Sequence, residues 1–226
     1  KALITKRASV DGVSAKTVER DYVLAHLVSA IATQRIDCRL VFKGGTALRL
    51  CYFDDNRYSA DLDFSVIGGK TDDALAAISG AFERVPATIS GLHLTADVPP
   101  RIAYIGPLGR ERSIKLDLAD DELVLNTERR TLLPLWTDVS QDARIDVYTL
   151  TEITGEKLRC ILQRLQCRDL LDLSVIFQRG GANVEEAAEV FRQKAAPNGF
   201  QARFEERLIE YQRRWVTELT EHVQGT

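Results

Sequence analysis

The strongest signal in the sequence is VFKGGTAL at residues 41–48, followed by RYSADLDF at residues 57–64. The first stretch is an apolar run that ends in two glycines ahead of a helix-like segment. The second carries Asp61 and Asp63 in a run where polar and apolar side chains alternate, which predicts a half-buried strand over residues 61–67. Together they predict a strand–turn–helix unit beside an acidic strand.

The turn itself suits a phosphate group. Gly44 and Gly45 have no side chains to keep a phosphate from the backbone, and a helix starting at Thr46 would direct N–H groups towards it. The Thr46 hydroxyl would either cap that helix or contact the phosphate. An ordinary strand-to-helix turn would use the same residues, so the turn alone does not define a binding site.

The two aspartates suit a metal ion. On a strand they share one face, with Cα atoms roughly 6.5–7 Å apart, while Leu62 and Phe64 point into a core. A hard cation such as Mg²⁺ would relieve the repulsion between the carboxylates. The alternative is an acidic edge that faces only solvent.

A third carboxylate lies further along the chain. Residues 114–118 alternate strictly, which places Asp117 opposite the aliphatic side chains, with Lys115 expected in solvent on the same face. If this strand neighbours residues 61–67, Asp61, Asp63 and Asp117 converge. Such a set can hold two Mg²⁺ ions about 3.5–4 Å apart and support in-line phosphoryl transfer.

Composition narrows the classes of protein to which the chain can belong. The chain has 226 residues, of which 45% are hydrophobic, enough for one large domain or for a core with a subdomain. A net charge of −3 does not indicate nucleic-acid binding by itself, although basic residues cluster locally. One group is Arg101, Arg110, Arg112 and Lys115, and a later one is Lys157, Arg159, Arg164 and Arg168. No apolar run approaches the roughly 20 residues that span a bilayer. The four cysteines form no Cys-x-x-Cys pair, so we do not expect a zinc site. We expect a cytoplasmic protein whose cysteines are reduced.

The pattern changes near residue 150. Before it, short strand-like runs alternate with helical ones, and after it the remaining predicted elements are helices. We therefore predict an α+β fold with a mixed α/β core over residues 1–150 and a helical subdomain over residues 151–226.

Taken as a set, these motifs resemble the AbiEii/AbiGii toxin nucleotidyltransferases, which include the MenT-like toxins and belong to the polymerase-β-like superfamily. The resemblance spans about residues 17–178. Besides the two opening stretches, it rests on ERDY at 19–22, EKL at 156–158 and RDLLD at 168–172.

The resemblance implies roles for particular residues. Asp61, Asp63 and Asp117 would be the metal ligands, and Asp61, Asp63, Lys157 and Asp172 the catalytic set. The nucleotide-binding set would be Lys43, Gly44, Gly45, Thr46, Ser59 and Lys157. Ser59 would also be a possible phosphorylation site, where added negative charge would inactivate the enzyme.

The resemblance also implies substrates and partners. A metal-dependent enzyme would transfer a nucleoside monophosphate from an NTP to the 3′ end of tRNA, with a cognate antitoxin as partner and no membrane. The blocked tRNA would halt translation. The alternatives are a small-molecule or protein hydroxyl as acceptor, and an inactive binding module of the same fold.

One geometric requirement follows. In a single straight helix, Lys157 and Asp172 would lie about 22 Å apart along the axis and could not share a site. The shared site therefore predicts a helix break near residues 165–167. A continuous amphipathic helix, with Arg168 and Asp172 paired at i,i+4, is the alternative.

Overall fold

The computed structural model describes residues 1–34, 38–195 and 204–219. These residues divide into two compact units, one formed by the described residues of 1–122 and 129–147, the other by the described residues of 123–128 and 148–219.

The first unit begins with two helices and then alternates strands with short helices. The helices are α1 (Ala2–Asp11), α2 (Ala15–Ala32), α3 (Gly44–Ala47, continued by a π-helical turn Leu48–Tyr52) and α4 (Thr71–Ala81, continued by a 3₁₀ turn Phe82–Arg84). The strands are β1 (Arg39–Lys43), β2 (Asp61–Ile67), β3 (Ser90–Leu94), β4 (Arg101–Ile105), β5 (Glu111–Ala119), β6 (Thr127–Thr131) and β7 (Arg144–Tyr148).

The described strands form one seven-stranded mixed sheet in the order β3-β4-β5-β2-β1-β7-β6. Strand β2 lies in its middle, antiparallel to β1 and parallel to β5. One face of β2 packs into the core, where Leu62 and Phe64 are fully buried. Phe64 is the register partner of Phe42, and their ring centroids are 5.2 Å apart. The other face carries the aspartates, so the alternation predicted for residues 61–67 is confirmed.

The helix after the double glycine differs from the expectation in one respect. It begins at Gly44 and not at Thr46, so both glycines belong to its first turn. Gly44 has a φ of 79°, a left-handed conformation that glycine adopts without the steric cost of a Cβ. This conformation explains why a glycine, although a poor helix former, lies where the strand turns into the helix.

The second unit contains helices α5 (Leu150–Gln163), α6 (Cys167–Arg179), α7 (Val184–Ala195) and α8 (Phe204–Leu219). The predicted break is confirmed, because α5 ends at Gln163 and α6 starts at Cys167. A Cβ on Gly155 would lie 2.5 Å from a Val190 side-chain carbon, so glycine lets α5 and α7 approach closely. Among the described helices, none is both long and apolar enough to cross a membrane.

Candidate active site

The register of the sheet places the acidic residues in one row on its polar face. Asp63 of β2 is flanked by Lys43 of β1 on one side and by Asp117 of β5 on the other. Because register partners point to the same side of a sheet, the three side chains share a face. The prediction that the two acidic strands are neighbours is therefore confirmed, because β2 and β5 pair directly.

Asp61 begins a second row on the same face. Its register partner on β5 is Lys115, whose partner on β4 is Arg101. The Lys115 ammonium lies 3.0 Å from an Asp117 carboxylate oxygen. Each carboxylate of the polar face therefore has a cationic residue as a neighbour in its own row or the next.

The double glycine lies directly against Asp63. A Cβ built on Gly44 would be 2.5 Å from Asp63 Oδ2, which is closer than real side chains approach. The backbone of Gly44 therefore forms one wall beside the carboxylate.

Gly45 forms the next part of that wall. A Cβ there would be 2.6 Å from Arg57 Nη2 and 3.2 Å from Ser59 Oγ. Arg57 is buried, with 5% of its surface exposed, and its Nη1 donates to the carbonyl of Tyr58 at 3.2 Å. The turn thus brings a guanidinium, a hydroxyl and a carboxylate against two adjacent glycines, a combination of groups that suits a nucleotide phosphate and its cation.

Thr46 has a different contact from those expected. Its hydroxyl is buried and donates to the carbonyl of Asp61 at 2.5 Å, and α3 has no side-chain cap. This bond joins the glycine turn to the first residue of β2. Thr46 therefore positions the turn relative to the acidic strand.

Lys43 is held by a carboxylate that no motif in the sequence marks. Glu122, which follows β5, accepts hydrogen bonds from the Lys43 ammonium and from the Ser65 hydroxyl. Ser65 lies two residues beyond Asp63 on the same face of β2. Glu122 is 79 residues from Lys43 in the chain, so local patterns could not reveal this contact.

A buried ion pair supports the loop that precedes β2. Arg49 is 1% exposed, pairs with Asp21 and donates to the carbonyl of Asn56. Trp136 Nε1 donates to the same Asp21 carboxylate at 3.1 Å, and the Arg49 guanidinium lies 4.0 Å from the centroid of the Tyr58 ring. These contacts fix the residues next to Arg57 and Ser59.

The polar face offers hard oxygen ligands. Mg²⁺ commonly binds proteins through one or two carboxylates and completes its coordination with waters and substrate phosphates. Asp61 and Asp63 fit that requirement, and Asp117 lies on the adjacent strand opposite Asp63. Among the residues that the structure describes, no group of three or more His, Cys, Asp or Glu side chains converges as a metal cluster.

In the second unit, the helix break brings Lys157 and Asp172 together. The Lys157 ammonium lies 2.6 Å from Asp172 Oδ2 and 2.7 Å from Asp169 Oδ1. Both carboxylates are fully buried, and Arg164 Nε adds a contact to Asp169 Oδ2 at 2.9 Å. Asp169 belongs to the RDLLD motif, but the family resemblance implied no role for it.

The charges in this cluster are strongly coupled. Burial by itself would raise the pKa of Asp169, but the Lys157 ammonium and the Arg164 guanidinium outweigh it and lower the pKa to about 2. Asp169 is therefore ionised at neutral pH and holds Lys157 on α5 against α6.

Comparison with known proteins places these features in a family. The family model for the AbiEii nucleotidyl transferase toxins of type IV toxin–antitoxin systems matches residues 26–225. No curated protein sequence matches the chain.

The solved structures that resemble it include two nucleotidyltransferase-type proteins. The MenT4 nucleotidyltransferase toxin of Mycobacterium tuberculosis has a TM-score of 0.69 and 24% identity, over 84% of this chain and 68% of that one. An antigenic nucleotidyltransferase-like protein from Paracoccidioides brasiliensis has a TM-score of 0.52 and 14% identity, over 92% and 94% of the two chains. The α+β fold is thus that of the nucleotidyltransferases, as predicted. The chain belongs to the AbiEii family of nucleotidyltransferase toxins.

Proposed function

We propose that the chain transfers a nucleoside monophosphate from an NTP to the 3′ end of tRNA and so blocks translation in the cytoplasm. The observation that carries this proposal is the packing of the Gly44–Gly45 turn against Asp63, Arg57 and Ser59. Membership of a toxin–antitoxin family supports an antitoxin as partner and an NTP as substrate.

In this proposal the turn binds the triphosphate. The absence of side chains on the two glycines lets Asp63, Arg57 and Ser59 pack against the turn, where Arg57 and Ser59 supply positive charge and a hydrogen-bond donor for phosphate oxygens. Lys43, held by Glu122, adds a second cation in the row of Asp63. The triphosphate is thereby oriented with its α-phosphate towards the carboxylates.

Asp61 and Asp63, with Asp117 on the adjacent strand, are the residues that would hold magnesium. Magnesium bound there would neutralise the triphosphate and favour ionisation of the attacking hydroxyl. In the transfer, the acceptor oxygen bonds to the α-phosphorus, the bond from that phosphorus to the bridging oxygen breaks, pyrophosphate leaves, and the hydroxyl proton passes to solvent.

We also propose roles for the second unit and for Ser59. Lys157 contacts the nucleotide phosphates, and Asp172 and Asp169 orient its ammonium. Ser59 is the proposed inactivating phosphorylation site, because a phosphate on this half-buried hydroxyl would occupy the space beside Gly45.

The test is an incubation of the protein with Mg²⁺, each α-labelled NTP in turn and total tRNA, followed by a denaturing gel. We expect label on tRNA, and no label when periodate has destroyed the 3′-terminal diol. Label on the protein or on a small molecule, with none on tRNA, would show that the acceptor is misassigned.

A further inference from the structure

We propose that Arg101 and Lys115 form a phosphate-binding subsite for the backbone of the acceptor strand, an inference that rests on the proposed function. The two residues are register partners on β4 and β5, and Lys115 is in turn the partner of Asp61. They therefore continue the row of Asp61 across the polar face of the sheet, away from the glycine turn.

The two cations are held in place by short polar contacts. Arg101 Nε donates to Ser113 Oγ at 2.7 Å, and the backbone N–H of Arg101 donates to Thr95 Oγ1 at 3.1 Å. The bond to Ser113 uses one of the five N–H donors of the guanidinium. The forked arrangement of these donors matches the oxygens of a phosphate. Lys115 pairs with Asp117 at 3.0 Å while 36% of its side chain remains exposed. The pair is thus ordered and accessible to solvent.

Their position relative to β2 decides which phosphate they bind. The glycine turn follows β1, on one side of β2, whereas β5 and β4 lie on the other side. Phosphoryl transfer places the attacking and leaving oxygens roughly in line through the α-phosphorus. If the triphosphate lies on the glycine side of the carboxylates, the attacking strand enters from the side of β5 and β4, where Lys115 and Arg101 lie.

The distances fit a group next to the reacting end. Neighbouring strands are about 4.8 Å apart, so the Cα atoms of Arg101 and Asp61 are separated by about 10 Å across β5. A cation at that spacing can contact a phosphodiester close to the 3′-terminal nucleotide. The same chemistry would suit the triphosphate, and the experiment separates the two sources.

The experiment compares Arg101→Ala with the charge-matched control Lys16→Ala, an exposed position on α2. Arg101 is preferred as the first variant because Lys115→Ala also removes a partner of Asp117. One arm measures the KM for tRNA and for the NTP that the wild type uses. The other measures tRNA binding without chemistry, as a function of salt, and binding of the α,β-methylene NTP analogue.

We expect Arg101→Ala to raise the KM for tRNA about 10-fold and to lower the magnitude of the salt slope of tRNA binding by about one. The analogue should bind within about twofold of wild type, and Lys16→Ala should change none of these values. Arg101→Ala combined with Lys115→Ala should weaken tRNA binding further. Thermal unfolding of each variant confirms that it is folded.

Two results would overturn the inference. If the folded double variant binds tRNA as tightly as wild type and with the same salt slope, Arg101 and Lys115 do not form a subsite for RNA. If the variant binds the NTP analogue more weakly but tRNA equally well, the two residues bind the triphosphate instead. If the wild type labels no RNA, the proposed acceptor is wrong, and the salt-slope arm still decides whether Arg101 and Lys115 contact RNA.

Discussion

Replacing Gly44 by alanine tests whether the glycine turn positions the Asp63 carboxylate. The new Cβ would lie 2.5 Å from Asp63 Oδ2, so the carboxylate must retreat by about 1 Å to reach ordinary contact. A misplacement of about 1 Å at a reacting centre costs about 100-fold in rate. We therefore expect initial rates of nucleotide transfer to fall about 100-fold in Gly44→Ala.

Stability should change much less than activity. Alanine at a φ of 79° costs about 1–2 kcal/mol in backbone strain, whereas the clash falls on the end of a side chain that can rotate. Gly68→Ala is the matched control, because Gly68 has a φ of 74° and a Cβ there would meet nothing within 4 Å. Urea unfolding should give similar losses for the two variants.

The comparison of the two variants is decisive. Gly68→Ala should transfer nucleotide within about twofold of wild type. If Gly44→Ala keeps its transfer rate within about threefold of Gly68→Ala, the contact between the turn and Asp63 does not position the carboxylate, and this reasoning is refuted.

The remaining predictions concern the other parts of the candidate site. Asp61→Asn should abolish transfer of label to tRNA while the protein remains folded by circular dichroism, because an amide is a poorer magnesium ligand than a carboxylate. Thr46→Val should destabilise the protein by about 1–3 kcal/mol in urea unfolding, because the Asp61 carbonyl loses its buried donor. Asp169→Asn should lower the free energy of unfolding by about 2 kcal/mol at pH 7. This is the stability that corresponds to lowering the pKa of Asp169 from 3.8 to about 2 on folding. Because that pKa is depressed on folding, the contribution of Asp169 is complete above pH 4 and disappears as the pH falls towards 2, so the variant should lack this part of the acid sensitivity. Lys157→Ala should raise the KM for NTP more than it weakens tRNA binding.

Each of these expectations has a contrary result. Near-normal transfer by Asp61→Asn would remove Asp61 from the metal site, and unchanged stability of Thr46→Val would mean that the bond to the Asp61 carbonyl is not retained in solution. Equal acid sensitivity of wild type and Asp169→Asn would contradict the depressed pKa. Equal losses of NTP use and tRNA binding in Lys157→Ala would contradict a contact to the nucleotide.

Features that depend on local pattern could be predicted from the sequence. The bounds of strand β2 could be predicted because polar and apolar residues alternate from Asp61 to Phe64, although Ser65 is buried as well as its neighbours Phe64 and Val66. The break between α5 and α6 followed from a requirement on helix length. The predicted start of α3 was wrong, because two glycines are typical of a turn that precedes a helix, whereas the helix begins at Gly44, where the left-handed φ turns the chain.

The partners of the site residues could not be predicted in this way. Glu122 reaches Lys43, and Arg49 reaches Asp21, only because the sheet and helices bring distant segments together. Asp169 was overlooked for another reason. It lies in a recognised motif, but its role depends on full burial beside Lys157, and a sequence does not specify burial at a single helical position.

The register that pairs Asp63 with Asp117 has a consequence for how activity and stability are related in this protein. Like charges opposite each other on neighbouring strands oppose folding, and the half-exposed pair of Lys115 with Asp117 offsets that repulsion only modestly. If these carboxylates hold magnesium as proposed, the pairing that serves the reaction also lowers the stability of the middle of the sheet. An inactive variant such as Asp117→Asn should melt at a higher temperature than wild type in the absence of divalent ions, and magnesium should narrow the difference by stabilising only the wild type. Loss of activity and gain of stability would then have the same origin.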